Sequence, residues 1–321
     1  MFPASATCLI VSFSLKMSFL PGGVPTNTVD TPIAVVLIMV YVGLAATHLT
    51  IRRRTHLETG ENLQTTMLIA NFCITRINAL VMRIVWANWP HNKDIMLAAT
   101  VFLGPGVDLL FVCNLIYAHR VWLGFQSRTH PRFVRPAKWI LCFVIFTVAA
   151  TVIYLLTFTI ISFLTTDKEL LLKNQAALKV GLTFFAVHSF LPLPVAFVAA
   201  ALPRPGGYKH FGAATLHTKF GIVAASSALL CLSAAWRCGT TYLPLPVSGS
   251  AWWHHKACFF IFNFVVEAFV VILFAVARVD KMFFIPASDD TTSQISASDA
   301  ETERSEETAI GAEWEKGKID Q

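Results

Sequence analysis

The chain has 321 residues, of which 55% are hydrophobic and 14% charged, and its mean hydropathy is +0.61. This composition excludes a soluble globular domain of that size and predicts an integral membrane protein. The formal net charge of +6 is unevenly distributed, because residues 287–321 hold ten acidic residues against three basic ones. The other basic residues lie mostly in short segments between apolar runs, which indicates orientation in a bilayer rather than nucleic-acid binding.

Seven apolar runs are long enough to cross the hydrocarbon region as helices. Before them, residues 1–30 contain a short apolar run without a basic start, which is either a weak signal or an N-terminal extension. The sequence predicts an all-α, polytopic protein whose seven transmembrane helices form one bundle over residues 31–286. The predicted spans 1 to 7 cover residues 33–51, 63–86, 95–118, 139–164, 180–202, 219–239 and 257–277.

Lys and Arg are distributed asymmetrically between the two sides of this bundle. With the amino terminus outside, the inner segments carry thirteen basic residues and the outer segments six. The positive-inside rule therefore predicts an outer amino terminus and a cytosolic carboxyl terminus, in the plasma membrane or an endomembrane. Residues 287–321 are acidic and rich in Ser and Thr, which predicts a disordered cytosolic tail.

Two spans contain residues that interrupt helices. Span 5 holds Pro192 and Pro194, so we expect a kink where the backbone hydrogen bonds are lost. In span 3 the sequence Gly104-Pro105-Gly106 comes just before Asp108, and we expect the helix to be loosened or kinked beside that carboxylate. Broken helices line binding sites in many transporters.

Three ionisable residues lie near the middle of three different spans. Arg76, Asp108 and Glu267 are about 13, 13 and 11 residues from the predicted starts of spans 2, 3 and 7, a depth at which an unpaired charge is costly. We expect one Arg between two carboxylates, so that removal of Arg76 would leave two acids unpaired. The cluster is either a polar pocket or a structural pair that fixes helix packing.

Further polar side chains accompany these three. Arg83 lies seven residues after Arg76 and shares its stripe on span 2, whereas Asn78 lies on another face. A single His in a span is either a titrating group or a hydrogen-bonded packing residue. The candidate binding residues are Arg76, Asp108, Glu267, Asn263, Arg83, Asn78 and His188.

The last span and its carboxyl end carry a family resemblance. The pattern begins with a Phe-Asn pair and a Glu in an aromatic-rich helix, and it continues with Arg-Val-Asp and an aromatic residue before Pro. Its residues here are Phe262, Asn263, Glu267, Arg278, Val279, Asp280, Phe284 and Pro286. Shorter matches are Asp30-Thr31-Pro32, Arg76-Ile77, Trp86-Ala87 and the Pro-Arg pair after span 5. Over roughly residues 24–286 the chain resembles a fungal domain-of-unknown-function family of seven-helix integral membrane proteins. The resemblance implies the architecture but no chemistry.

Several kinds of site lack their required residues. A retinal protein needs a Lys inside the last helix, whereas Lys256 and Lys281 flank it. The sequence has no HxxxH or CxxC pair for zinc and no glycine-rich phosphate loop, so we expect no metal and no cofactor. Cys238 and Cys258 fall near one membrane face, and the sequence is compatible with either a disulfide between them or two free thiols.

We therefore expect a non-enzymatic, receptor-like or transport-like protein that binds or moves a small lipidic or amphipathic molecule. The expected pocket lies between spans 2, 3 and 7. Its partners are membrane lipids and this ligand, without nucleic acid, and the oligomeric state is open. The alternative is a membrane-embedded enzyme with Asp108 or Glu267 as general acid, or an accessory protein in lipid or secondary-metabolite biosynthesis.

Overall fold

The computed structural model describes residues 22–59, 64–104, 106–126, 134–201, 214–243 and 252–283. Within these ranges all the regular elements are helices, in agreement with the predicted all-α class. The predictions for the first 21 residues, for Phe284 and Pro286, and for the tail at 287–321 fall outside the described residues.

The helices in chain order are α1 Asp30–Thr59, α2 Gln64–Asn88, α3 Lys93–Leu103, α4 Gly106–Gln126, α5 Val134–Leu164, α6 Lys168–Phe190, α7 Pro192–Ala201, α8 Leu216–Tyr242, α9 Lys256–Phe260, α10 Val266–Val276 and α11 Val279–Met282. A short 3-10 helix, Trp252–His254, precedes α9, and a π-helical turn, Ile261–Val265, joins α9 to α10.

Seven stretches are long and apolar enough to cross a membrane, which confirms the predicted number. Spans 1, 2, 4 and 6 are α1, α2, α5 and α8, each a single helix. Span 3 combines α3 with α4, span 5 combines α6 with α7, and span 7 runs from α9 to α10. The chain is a multi-pass integral membrane protein.

Two predicted boundaries are wrong. Span 5 begins at Lys168 rather than near residue 180, and Asp167 caps its first turn by accepting the backbone N–H of Glu169. Span 1 continues to Glu58, beyond its predicted end at residue 51. Hydropathy locates the part of a helix that lies in hydrocarbon, and a helix can continue past that part with polar residues.

Spans 3 and 5 are each broken once, at the predicted positions. In span 3, α3 ends at Leu103 and α4 begins at Gly106. In span 5, Leu191 separates α6 from α7, because Pro192 and Pro194 cannot donate backbone hydrogen bonds. Each break leaves carbonyl groups that need other donors, since hydrocarbon supplies none.

Span 7 is the most enclosed of the spans and span 4 the least. The apolar window of span 7 is 56% buried, whereas that of span 4 is 11% buried. Span 7 packs against spans 1 and 6, and span 4 packs against spans 3 and 5. Span 4 is therefore the span least covered by other helices and the most open to lipid.

Hydrogen bonds from two side chains, one in span 1 and one in span 7 itself, stabilise the π-helical turn in span 7. Such a turn interrupts the regular i to i−4 hydrogen bonding of the backbone. The hydroxyl of Tyr41 in span 1 donates to the carbonyl of Phe264 at 2.8 Å, and Asn263 Nδ2 donates to the carbonyl of Phe259 at 2.9 Å. Tyr41 is fully buried, so its hydrogen bond links span 1 to the irregular part of span 7 inside the bundle.

A second set of polar contacts closes the end of the bundle that contains Asp280. Thr55 Oγ1 donates to Asp280 Oδ2 at 2.7 Å, and Arg278 Nη2 donates to the same oxygen at 2.9 Å. Burial alone would raise the pKa of Asp280, but the hydrogen bonds from Arg278 and Thr55 outweigh burial and hold that pKa below its ordinary value. Arg278 has a positive φ of 49° and separates α10 from α11.

Replacement of Tyr41 by Phe tests the contact at the π-helical turn. Tyr41→Phe removes one buried hydrogen bond and leaves the ring in place, so we expect a loss of about 0.6–1.7 kcal/mol in the free energy of unfolding. Tyr154→Phe in span 4 makes the same chemical change outside the interface of spans 1 and 7 and serves as the control. Unfolding in mixed detergent micelles measures both, and equal losses would contradict the assignment.

Candidate functional site

The central feature of the bundle is Glu267, which is fully buried in span 7. Arg76 in span 2 donates to it twice, from Nε to Oε2 at 2.6 Å and from Nη2 to Oε1 at 3.0 Å. Arg237 Nη2 and Ser233 Oγ, both in span 6, donate to Oε1 at 2.6 and 3.3 Å. A two-point arginine–carboxylate pair is among the strongest hydrogen-bonded ion pairs. One carboxylate therefore joins spans 2, 6 and 7. We call Glu267 and its three partners, Arg76, Ser233 and Arg237, the Glu267 cluster.

Arg76 also satisfies the backbone at the break in span 3. Its Nη1 donates to the carbonyl of Leu103 at 2.9 Å. Leu103 is the last residue of α3, and carbonyls at a helix end have no partner in the helix itself. The broken helix and the buried arginine thus complete each other's hydrogen bonding.

Gly106 allows this close approach. A Cβ atom at Gly106 would lie 2.8 Å from Thr75 Oγ1 and 3.1 Å from Arg76 Cζ. Both distances are shorter than ordinary van der Waals contact, so a side chain there would displace the Thr75 hydroxyl and push against the guanidinium. The glycine is required because α4 begins directly beside Arg76.

Asp108 lies in the first turn of α4, close to the Glu267 cluster but outside its hydrogen bonds. It is 4% exposed, and neither carboxylate oxygen has a hydrogen-bond partner in the described part of the chain. The Nε of Arg237 is likewise buried without a partner there. Buried polar atoms are nearly always hydrogen-bonded, so these orphaned atoms mark a place where a partner is expected.

Asp108 and Arg237 line a cavity of about 90 Å³. This cavity, here called the Asp108 cavity, lies between spans 3, 4, 5 and 6. Its walls are otherwise mainly apolar and include Val107, Phe111, Val152, Leu155, Phe185 and Ala234. Several wall residues of spans 3 and 4, among them Val101, Leu156 and Thr159, are only partly buried. The cavity therefore extends towards the lipid beside span 4.

This location differs from the expected pocket between spans 2, 3 and 7. A cavity is present there too, lined by Arg83, Trp86 and Phe259 among others, but its volume is about 20 Å³. That is room for roughly one water molecule. Phenylalanine side chains and the arginines fill the rest of this interface.

The other candidate residues are dispersed. Arg83 binds Asp30 at the end of the bundle where α1 begins, with Nε and Nη2 at 3.0 and 2.8 Å from Oδ1. Lys256 pairs with the other oxygen of the Asp30 carboxylate. The ring of Phe259 packs 4.0 Å from the Arg83 guanidinium. Asn263 serves the π-helical turn.

Asn78 and His188 lie away from the Glu267 cluster. The side chain of Asn78 is exposed on the outer surface of span 2. The ring of His188 forms hydrogen bonds with Thr147 Oγ1 at 3.2 Å and with the Phe184 carbonyl at 3.0 Å, as a packing histidine does. The structure thus brings together Arg76 and Glu267, and places Asp108 beside them.

Cys238 and Cys258, the pair left open by the sequence, are both free. The Cys238 Sγ lies 3.6 Å from Thr183 Oγ1, and the Cys258 Sγ donates to the Trp252 carbonyl at 3.4 Å. Among the described residues there is also no group of three or more His, Cys, Asp or Glu side chains arranged to hold a metal ion.

Sequence reasoning missed Arg237, Ser233 and Asp30. Arg237 lies two residues before the predicted end of span 6, where a basic residue is ordinary, but the helix continues to Tyr242. The four-residue spacing of Ser233 and Arg237 puts both on one helix face, which was the available signal. Asp30 is the first residue of α1, where an acid is usually interpreted as a helix-end residue.

Part of the chain matches a known family. Residues 206–284 match the model of the family described as "Protein of unknown function (DUF3112)", which confirms the resemblance to an unknown-function family over this segment. The matched segment includes Ser233, Arg237 and Glu267, whereas Arg76 and Asp108 precede it. No curated protein and no solved structure matches the chain.

Substitution of Gly106 tests the close approach to Arg76. Gly106→Ala should displace the guanidinium and lower the free energy of unfolding by about 1–3 kcal/mol, as overpacking does. Gly104→Ala is the matched control, since its Cβ would meet nothing closer than the Val101 carbonyl at 3.6 Å. A Gly106 variant as stable as the Gly104 variant in detergent unfolding would show that the gap is not needed.

The Glu267 cluster should depend more on its carboxylate than on either arginine. Glu267→Leu leaves both Arg76 and Arg237 without their shared carboxylate, so we expect a loss of about 3–5 kcal/mol. Arg76→Leu should cost less, because Arg237 and Ser233 still bind Glu267. The double variant should be less damaging than the summed single variants, and additive unfolding free energies would contradict a shared network.

Proposed function

We propose that the protein binds a small amphipathic molecule from the membrane in the Asp108 cavity. The observation that carries this proposal is Asp108 itself, a buried carboxyl group at the wall of a mainly apolar cavity, whose two oxygens have no partner among the described residues. Ionisable residues inside membrane spans commonly mark substrate or ion sites. Apolar walls with a few convergent polar groups are typical of small-molecule sites.

Lateral entry from the bilayer fits this site. Span 4 forms one wall of the cavity and is mostly exposed to lipid, and the wall residues Val101, Leu156 and Thr159 are partly exposed. A membrane-dissolved molecule can reach Asp108 along this side without passing through the Glu267 cluster. The walls then hold its apolar part while Asp108 and Arg237 hold its polar end.

The orientation that belongs to this proposal has the amino terminus outside. Arg52, Arg53, Arg54 and Lys138 lie at the same end of the bundle as Asp280, which the positive-inside rule assigns to the cytosol. Asp30 and Lys256 then lie at the outer end. In this orientation the cavity lies between the two faces of the membrane.

An enzymatic role is the second candidate, and the hydrogen bonds of the two acids support Asp108 rather than Glu267 as its general acid. Glu267 accepts hydrogen bonds from two arginines and a serine, so its oxygens are engaged. Asp108 retains free oxygens at the cavity and is the group placed to transfer a proton. To separate the two roles, the bound compound is extracted from the protein and then incubated with freshly purified protein. An enzyme would convert the compound to a different product, and Asp108→Asn would abolish that conversion.

Co-purification tests the binding proposal. Ala234→Leu adds three carbon atoms inside the cavity, so we expect a compound that co-purifies with the wild-type protein to be strongly depleted from this variant. Ala46→Leu makes the same change at a lipid-exposed position of span 1 and should retain the compound. Mass spectrometry of organic extracts measures the compound per protein. A wild-type extract indistinguishable from that of Ala234→Leu would contradict the proposal.

A further inference from the structure

We infer that the molecule held in the Asp108 cavity is electrically neutral and binds through a hydroxyl group. This inference rests on the proposed function and specifies the chemical class of the ligand. It depends on the unpartnered atoms at the cavity, on the charges around them, and on the size of the cavity.

The unpartnered atoms are complementary to a hydroxyl group. Asp108 offers two acceptor oxygens, and Arg237 offers a donor at Nε. A hydroxyl group both donates one hydrogen bond and accepts others. One alcohol oxygen can therefore donate to one of the two Asp108 oxygens and accept from Arg237 Nε, which gives each residue a hydrogen-bond partner.

The charges around the cavity favour a neutral ligand. With Asp108 as a carboxylate, the two arginines Arg76 and Arg237 balance the two acids Glu267 and Asp108, and the four formal charges sum to zero. An ammonium group would add one positive charge and a carboxylate one negative charge, in a region where uncompensated charge is costly. An alcohol adds none.

The cavity is too small for a whole lipid. Sites that enclose drug-sized ligands measure roughly 300–1,000 Å³, whereas this cavity measures about 90 Å³. Only the polar end and the first part of a hydrocarbon chain fit inside. The rest of the chain would lie along the partly exposed residues Leu156 and Thr159 and continue into the bilayer, so a long-chain alcohol fits the available space.

Thermal unfolding of the full chain in detergent with four ten-carbon probes tests this inference. The probes are 1-decanol, decylamine, sodium decanoate and decane, each at the same concentration. With free decanol at about four times its Kd, we expect the wild-type Tm to rise by about 2–4 °C. Ala46→Leu should show the same rise, and Ala234→Leu should show little. Decane, decylamine and decanoate should give smaller cavity-dependent shifts.

Two further variants keep the test informative if Ala234→Leu does not fold. Val152→Phe fills the cavity from the lipid-exposed span 4 and should also abolish the decanol effect. Asp108→Leu keeps a side chain of similar size without acceptors, so it should remove the advantage of decanol over decane.

The outcomes separate this inference from the proposed function. A larger cavity-dependent shift with decylamine or decanoate, or an equal one with decane, would overturn the hydroxyl assignment and leave a ligand site in place. Shifts that are the same in the wild-type protein and in both cavity-filling variants, for all four probes, would contradict the binding site itself.

Discussion

A carboxylate inside a membrane-spanning helix has no water to stabilise it, so the protein must supply its counter-charges. Glu267 meets this constraint with two arginines from two other spans, and the rest of the bundle is arranged around them. Arg76 of span 2 links spans 3 and 7, because it reaches both Glu267 and the Leu103 carbonyl. Span 6 turns one face inward because Ser233 and Arg237 donate to the same oxygen.

Glu267 and Asp108 differ in the number of hydrogen bonds that each carboxylate accepts. Both carboxylates are buried at the centre of the bundle, but Glu267 accepts four hydrogen bonds and Asp108 accepts none within the described chain. A saturated group of this kind fixes helices in place, and its loss is a loss of stability. An unsaturated one beside a cavity has capacity left for another molecule, and for that reason the proposed ligand is assigned to Asp108.

The features that could be predicted from the sequence are those that depend only on the position of a residue along one helix. Seven apolar runs, the breaks at Gly104–Gly106 and at Pro192, and the shared depth of Arg76 and Glu267 all follow from spacing within a span. The partners of Asp30 and Arg237 do not, because contact between spans depends on which helices are neighbours and how each is rotated. Asp108 shows this limit, since its depth was predicted and its lack of a hydrogen-bonded partner was not.

Gly106 gives the fold a signature that can be read in other chains. Its hydrogen atom occupies the space that any larger side chain would take from the Arg76 guanidinium. A relative that keeps the arginine of span 2 and the glutamate of span 7 is therefore constrained to keep a glycine here, and a relative that has lost the arginine is released from that constraint. The evolutionary history of this one small residue thus records whether the charged centre has been retained.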